Sequence, residues 1–273
     1  MTFLVAQQAP GPSVLHANYN PYMVNNDQER ASASDIRSVA RVGQICALFG
    51  PRVVELTAAE VAERTGLNRT TAYRYCASMV AAGILQPGSR RGTFALGALM
   101  LELGLGALGR ERVLEVARPY LRELSTAVGM TAVLSIPGTH GPVVALVAEE
   151  TDRQVLVTVR VGTTLDASAA QSRVFLAFGD DPSLRVLTEG LSPADRARLD
   201  ADVAKVRRHG YSVVRPKNLP FVAAAPVFDE TRLRATVAFL GVGDADLAPA
   251  IEELRRTAGE IGGALGAQAE AGP

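Results

Sequence analysis

Across 273 residues the sequence carries two cysteines and three histidines. Cys46 and Cys76 fall on stretches that read as apolar helix faces, which predicts two buried thiols and no disulfide. His16, His140 and His209 are widely separated, and no cluster has metal-ligand spacing, so no metal and no cofactor is expected. Neither sign of charge is in excess: 28 Lys and Arg balance 28 Asp and Glu. No apolar run approaches the roughly 18 to 20 residues that cross a bilayer. The opening MTFLVAQQAPG lacks a basic segment ahead of its short apolar run, unlike a secretory leader. A cytoplasmic protein without a membrane partner is expected. Also missing are a Gly-x-Ser-x-Gly elbow, a phosphate-cradling glycine loop and paired carboxylates near a histidine. Gly104-x-Gly106 sits in a leucine-rich helix with no preceding strand, so it is not a dinucleotide fingerprint. No catalytic residue is assigned, and the chain reads as a binding protein, not an enzyme.

The overall balance hides a segregation of charge. Residues 34–96 hold eight arginines (Arg37, Arg41, Arg52, Arg64, Arg69, Arg74, Arg90, Arg91) against Asp35, Glu55, Glu60 and Glu63. One module is thus suited to a polyanion while the remainder is net acidic. At its centre lies LTAAEVAERTGLNRTTAYRYCASMVAAGILQPGSRRGTFAL, residues 56–96. Thr57 and Glu60 have the spacing of a capping box. Val61 and Ala62 face inward, and Gly66 supplies a left-handed helix end. Asn68 caps a second helix on which Ala72, Tyr75, Cys76, Met79 and Val80 recur at intervals of three and four. Asn68, Arg69, Thr70, Thr71, Tyr73 and Arg74 lie at its start, the chemistry that base edges and phosphates require. Strands at 84–86 and 93–96 flank a turn whose tip is Arg90-Arg91, as a wing against phosphates would. A helix over 35–49, with Val39, Val42, Cys46 and Phe49 inward, and a strand over 53–56 complete a winged helix-turn-helix. The alternative for this stretch is a structural helical hairpin with a solvated basic face.

Around this module, residues 1–33 read as a disordered polar tail. Residues 97–110 form a linker helix whose Leu99, Met100, Leu103, Leu105 and Leu108 make too broad an apolar surface for a lone solvated helix; packing on a second copy is expected. A second domain spans 111–267, followed by a short tail at 268–273. It opens with a helix over 112–128, followed by strands at 131–136, 142–148 and 154–161. Helices follow over 167–178 and 193–208, then strands at 221–227 and 235–242, then a helix over 249–265. The fold class is α+β: a winged helix-turn-helix, a linker helix and an α/β sensor domain of GAF-like type.

Several pieces together resemble the IclR family of transcriptional regulators over about residues 37–265. They are RSVARVGQICALF, the helix-turn-helix stretch, FALGALMLELG, ARPYLRELSTAVGMT, VRRHGYS and AAAPVFD, in family-like order and spacing. The resemblance implies an N-terminal domain binding a double-stranded DNA operator and a C-terminal domain binding a small-molecule effector. It also implies homodimers, often paired into tetramers, that repress or activate. Arg69, Thr71 and Arg74 would be the main recognition-helix contacts, with Arg90 and Arg91 on the wing. On the effector side the chain departs from the family pattern. Ala170-Gln171-Ser172-Arg173 replaces a Gly-Lys element, and no acidic residue follows Gly210-Tyr211 within Val213–Lys217. Val222 stands roughly where a cysteine is frequent, and serines common on the last strand are absent from Ala238–Val242. The candidate effector contacts are Ala170, Ser172, Arg173, Pro220, Val222, Leu240 and Val242. Few hydrogen-bonding groups are expected among them, which implies a neutral, largely apolar effector or a cavity filled by side chains. In the second case the protein would bind DNA constitutively and its C-terminal domain would only oligomerise.

Overall fold

The computed structural model describes residues 36–149, 159–180, 182–215, 220–243 and 246–270. These fall into two compact units, one ending at Arg110 and the next beginning at Glu111. The tail expected at 1–33, most of the strand at 154–161 and Lys217 lie outside the described residues, whereas the first three residues of the tail expected at 268–273 belong to the last helix.

The first unit begins with α1 (Arg37–Cys46). It is shorter than the expected 35–49, and its buried residue is Ile45. Val39, expected inward, is 66% exposed, because the helix meets its neighbours only through its C-terminal half. Arg41 ties α1 to the next helix by donating to the Thr65 carbonyl at 3.0 Å. Then come β1 (Leu56–Thr57), α2 (Ala58–Thr65), α3 (Arg69–Ala81), β2 (Leu85–Pro87), β3 (Thr93–Leu96) and α4 (Ala98–Leu108). The strand expected at 53–56 is reduced to β1, which pairs with β3. The three strands run antiparallel in the order β1-β3-β2. Ile45, Leu56, Val61, Ala72, Cys76, Met79 and Leu85 form one buried cluster, so α1, α2, α3 and the small sheet share a core. Both cysteines are free; Cys76 is buried and Cys46 half-buried. Burial raises the pKa of both, that of Cys76 to about 11.

The second unit is built from three layers. Its strands β4 (Thr131–Ile136), β5 (Val143–Ala148), β6 (Ser212–Val214), β7 (Phe221–Asp229) and β8 (Arg232–Gly241) form an antiparallel sheet of order β5-β4-β8-β7-β6. β6 was not expected, since three residues after Gly210 are too few to show alternation. Side chains alternate between the two faces of the sheet. Ala132, Leu134, Phe221, Ala223, Ala225, Val237 and Phe239 pack under α5 (Arg112–Val128) and α8 (Ala248–Glu270). Gly262 lets α8 approach closely, because a Cβ there would stand 2.5 Å from the Phe228 carbonyl oxygen. The opposite face carries α6 (Ala170–Phe178) and, beside it, α7 (Pro193–His209). A 3-10 turn, Pro182–Thr188, adds Leu184 and Leu187 against Phe175.

The capping box is formed as the sequence implies. The Glu60 amide donates to Thr57 Oγ1 at 3.2 Å, and the Thr57 amide donates to Glu60 Oε2 at 2.7 Å. Thr57→Ala should destabilise the chain by about 1 kcal/mol, with Thr57→Ser near neutral, as read from urea unfolding midpoints.

Candidate nucleic-acid interface and effector face

The interface is built on the corner between α2 and α3. Gly66 adopts φ 68, a conformation that would strain any residue with a Cβ. Its amide and that of Leu67 both donate to the Ala62 carbonyl, which closes the end of α2. Asn68 then caps α3 by accepting from the Thr71 amide at 2.8 Å. The Asn68 carboxamide oxygen is therefore engaged in holding the helix. Ala72, Cys76 and Met79 point into the core, which obliges the intervening positions to face outward. Arg69, Thr70, Tyr73 and Arg74 are exposed, and Thr71 is half-buried. The Tyr73 ring meets Phe94 of β3 edge-on at 6.3 Å between centroids, linking the exposed side of α3 to the wing sheet.

The wing turn between β2 and β3 is closed from within by Gly88 N donating to Thr93 O at 2.8 Å. It is also held from outside by Glu55. That carboxylate accepts from the amides of Ser89 at 2.6 Å and Arg90 at 3.3 Å, and lies 2.8 Å from Thr93 Oγ1. Arg90 Nε stands 3.4 Å from the same carboxylate, with the arginine side chain 69% exposed and that of Glu55 13%. Hydrogen bonds from the Ser89 side chain and amide, then Thr93 and the Arg90 amide, lower the Glu55 carboxyl to about 2. A carboxyl lowered on folding contributes above the unfolded value near 4.5, and that contribution is lost as pH falls towards 2. At neutral pH the turn is therefore held. Arg91 is exposed. In sequence Arg90 and Arg91 are adjacent and equivalent. The structure separates them, because Glu55 lies 35 residues from Arg90 along the chain and no local pattern connects the two.

In the second unit, residues directly opposed on antiparallel strands share a face. Three rows follow on the α6 side. Thr131, Leu240, Val222 and Val214 make the first; Val133, Ala238, Ala224 and Ser212 the second; Ser135, Thr236 and Pro226 the third. Ala170 and Val174 of α6 pack with Val133, Ala224 and Ala238 over the middle row. Of the expected effector contacts, Ala170, Val222 and Leu240 therefore meet on one face. Ser172 is buried but leaves the helix about 200° round from Ala170, away from that sheet. Arg173 is turned to α7, where its guanidinium pairs with Asp202 at 3.2 Å, so it is not aimed into the face. Pro220 precedes β7 and is half-buried; Val242 lies beyond β8 and is 43% exposed. Arg215 stands over the Phe221 ring, which belongs to the opposite side of the sheet.

The face is richer in hydrogen-bonding groups than expected. Thr131, Ser135, Ser212 and Thr236 are buried on it, and none of their hydroxyls finds a hydrogen-bond partner among the described residues. Ser135 and Thr236 are direct cross-strand neighbours, each fully buried. The expectation of a face poor in such groups came from positions aligned with the family pattern, and these hydroxyls lie elsewhere. Alternation along β4 and β8 was the signal that could have found them.

Among the described residues no group of three His, Cys, Asp or Glu could hold a metal, and no helix is long and apolar enough to cross a membrane.

A capped helix presenting arginines beside a basic wing defines the class of helix-turn-helix transcriptional regulators. The family model of the IclR helix-turn-helix domain matches residues 38–88, and that of the bacterial transcriptional regulator IclR C-terminal domain matches residues 105–243. The chain belongs to the IclR family. It is 28% identical over 248 residues to the HTH-type transcriptional regulator XynR of Escherichia coli, covering 85% of this chain and 98% of XynR. It is also 28% identical over 187 residues to the regulator BhcR of Paracoccus denitrificans, covering 64% of this chain and 66% of BhcR. Among solved structures, a putative IclR regulator from Silicibacter has the same fold (TM-score 0.73, 22% identity, 84% of this chain and 96% of that one). So does an IclR homologue from Microbacterium hydrocarbonoxydans complexed with 4-hydroxybenzoate (TM-score 0.68, 24% identity, 84% and 99%).

Proposed function

We propose that this DNA-binding regulator reads a two-fold operator as a homodimer, itself able to pair into tetramers, through Arg69, Thr71 and Arg74, with the wing of Arg90 and Arg91 against phosphates and Arg91 foremost. Residues 34–96 are the DNA-binding domain, 97–110 the dimerising linker and 111–267 the effector domain. The observation that carries the reading is the outward projection of Arg69 and Arg74 from the first two turns of a capped helix. Gel shifts test it. Arg74→Ala should weaken operator binding by about 1–3 kcal/mol and relax preference at one base pair. Arg91→Ala should weaken binding to all sequences equally. Neither effect appearing would remove both assignments.

The linker α4 supports dimerisation, because none of its residues is buried. Leu101, Leu105 and Leu108 stand one helical turn apart and are 65%, 61% and 47% exposed. Leu101→Glu with Leu105→Glu should weaken association by at least about 3 kcal/mol, seen as monomers in sedimentation. A dimer persisting at unchanged strength would place the interface elsewhere.

The effector we infer is neutral, with an apolar body against Val222, Leu240 and Ala238 and a hydroxyl or carbonyl for Ser135 and Thr236. Arg173, the cation nearest that face in sequence, is paired with Asp202, whereas an unpaired buried hydroxyl costs about 1–3 kcal/mol until something bonds it. The Microbacterium relative's ligand is an aromatic acid bearing a hydroxyl, and the pairing of Arg173 with Asp202 here favours the uncharged counterpart. Thermal-shift screening should find neutral aromatic alcohols that stabilise the protein, by about 2.7 kcal/mol at a hundredfold excess over Kd. Thr236→Val should reduce that shift, and tight binding of a 2-oxo acid would overturn the neutral assignment. The close packing of Ala170 and Val174 over the middle row favours a second reading, in which side chains fill the face and the domain only oligomerises. No stabilising ligand in the screen would favour it.

A further inference from the structure

We propose that Glu55 is the positioning residue of the wing: it holds the turn in the shape that meets DNA and binds Arg90 to the protein, leaving Arg91 as the forward cation. The inference rests on the DNA-binding reading above and goes beyond it, because a carboxylate is the side chain least suited to a surface that meets a polyanion. Of the acidic residues near the wing, Glu60 is already engaged in the capping box of α2. Glu55 caps no helix. It stands just before β1, beside Arg52 and Arg64, in a cleft of about 410 Å³ that the wing residues Ser89 and Arg90 also line.

What Glu55 does is visible in its donors. Two consecutive amides of the turn, those of Ser89 and Arg90, both point at its carboxylate. A tip in which successive N–H groups converge leaves them without a partner in the protein unless an acceptor is placed below it. Thr93 Oγ1 stands 2.8 Å from Glu55 and 2.6 Å from the Arg90 carbonyl; it can donate to one of them at a time, and either choice closes the base of the turn. Gly88 leaves room for this arrangement, since a Cβ there would lie 2.2 Å from Thr93 Oγ1 and 2.9 Å from Glu55 Oε2. The turn is thus clamped between its own strand pairing and one side chain from the opposite edge of the sheet. On the outer side Arg90 Nε faces the same oxygen, which partly neutralises that guanidinium before any phosphate arrives.

The test uses the full chain and two substitutions, Glu55→Ala and Glu55→Gln. Without DNA, at neutral pH, limited trypsin digestion should cut after Arg90 or Arg91 about tenfold faster in Glu55→Ala, because exposed tips are cut in proportion to how often they open. Glu55→Gln keeps one acceptor oxygen and should lie between the two, which also covers the case in which the alanine variant fails to fold. On operator DNA, Glu55→Ala should bind about tenfold more weakly at moderate salt, while its log–log salt slope steepens by up to about one unit as Arg90 is released. In that background Arg90→Ala should remove the added slope, whereas in the unaltered chain it should change the slope little. Unchanged cleavage in both variants overturns the proposal. So does faster cleavage with unchanged operator affinity, since the order of the turn would then serve nothing on DNA. Failure of the unaltered chain to bind any operator would instead remove the regulator reading, and the cleavage result alone would still report on the clamp.

Discussion

The orientation of α3 depends on hydrogen-bond closure at a three-residue corner. The end of α2 must dispose of its free carbonyls and the start of α3 must dispose of its free amides, with only Gly66, Leu67 and Asn68 between them. Gly66 solves the first problem by turning left-handed and donating to Ala62, and Asn68 solves the second with its side chain. Because both ends are satisfied locally, the angle between the helices is set by the chain itself, and the shared core around Ile45, Val61 and Cys76 then locks it. Arg69 and Arg74 face outward as a consequence, since Ala72, Cys76 and Met79 take the inner side of the same helix.

That corner was legible from sequence because each part of it is local. A capping box spans four residues, a glycine marks the left-handed position, and the apolar period of α3 needs no knowledge of the rest of the fold. The end of α5 and the start of β4 were legible for similar reasons: Gly129 caps the helix in the left-handed region and the largely apolar run Thr131–Ile136 follows it. What failed was tertiary. Val39 has the right spacing to be buried, yet the elements that would cover it are absent on that side of α1 in the described residues. β6 is too short to announce itself and exists because β7 offers it an edge. Arg173 read as a candidate effector contact, and only the approach of α7 shows that Asp202 pairs with it.

The effector face illustrates a different limit. Comparing positions with a family pattern directs attention to what has been replaced, and here the replacements were apolar. The strands place other polar groups on the same surface. Ser135 and Thr236 become neighbours only through the antiparallel register of β4 and β8, which joins residues about a hundred positions apart. A buried hydroxyl carries a desolvation cost that a hydrogen-bond partner offsets.

Charge provides the last step. Counting arginines in residues 34–96 suggests a strongly cationic module, but the structure divides those arginines by occupation. Arg41 is engaged with Thr65 and Gln44, which makes it part of the scaffold. Arg90 is shared with Glu55. Arg69 and Arg74 on the helix and Arg91 on the turn remain outward. A phosphate backbone responds to charge it can neutralise, and a guanidinium already facing a carboxylate releases fewer counterions when it meets one. The module is therefore less adhesive to arbitrary DNA than its composition implies. Sequence-independent attraction weakens with each arginine held by the protein, while the pair on α3 is the one proposed to discriminate. A regulator searching a large excess of wrong sites benefits from that ratio, and on the proposal made above Glu55 is the side chain that moves the wing towards it.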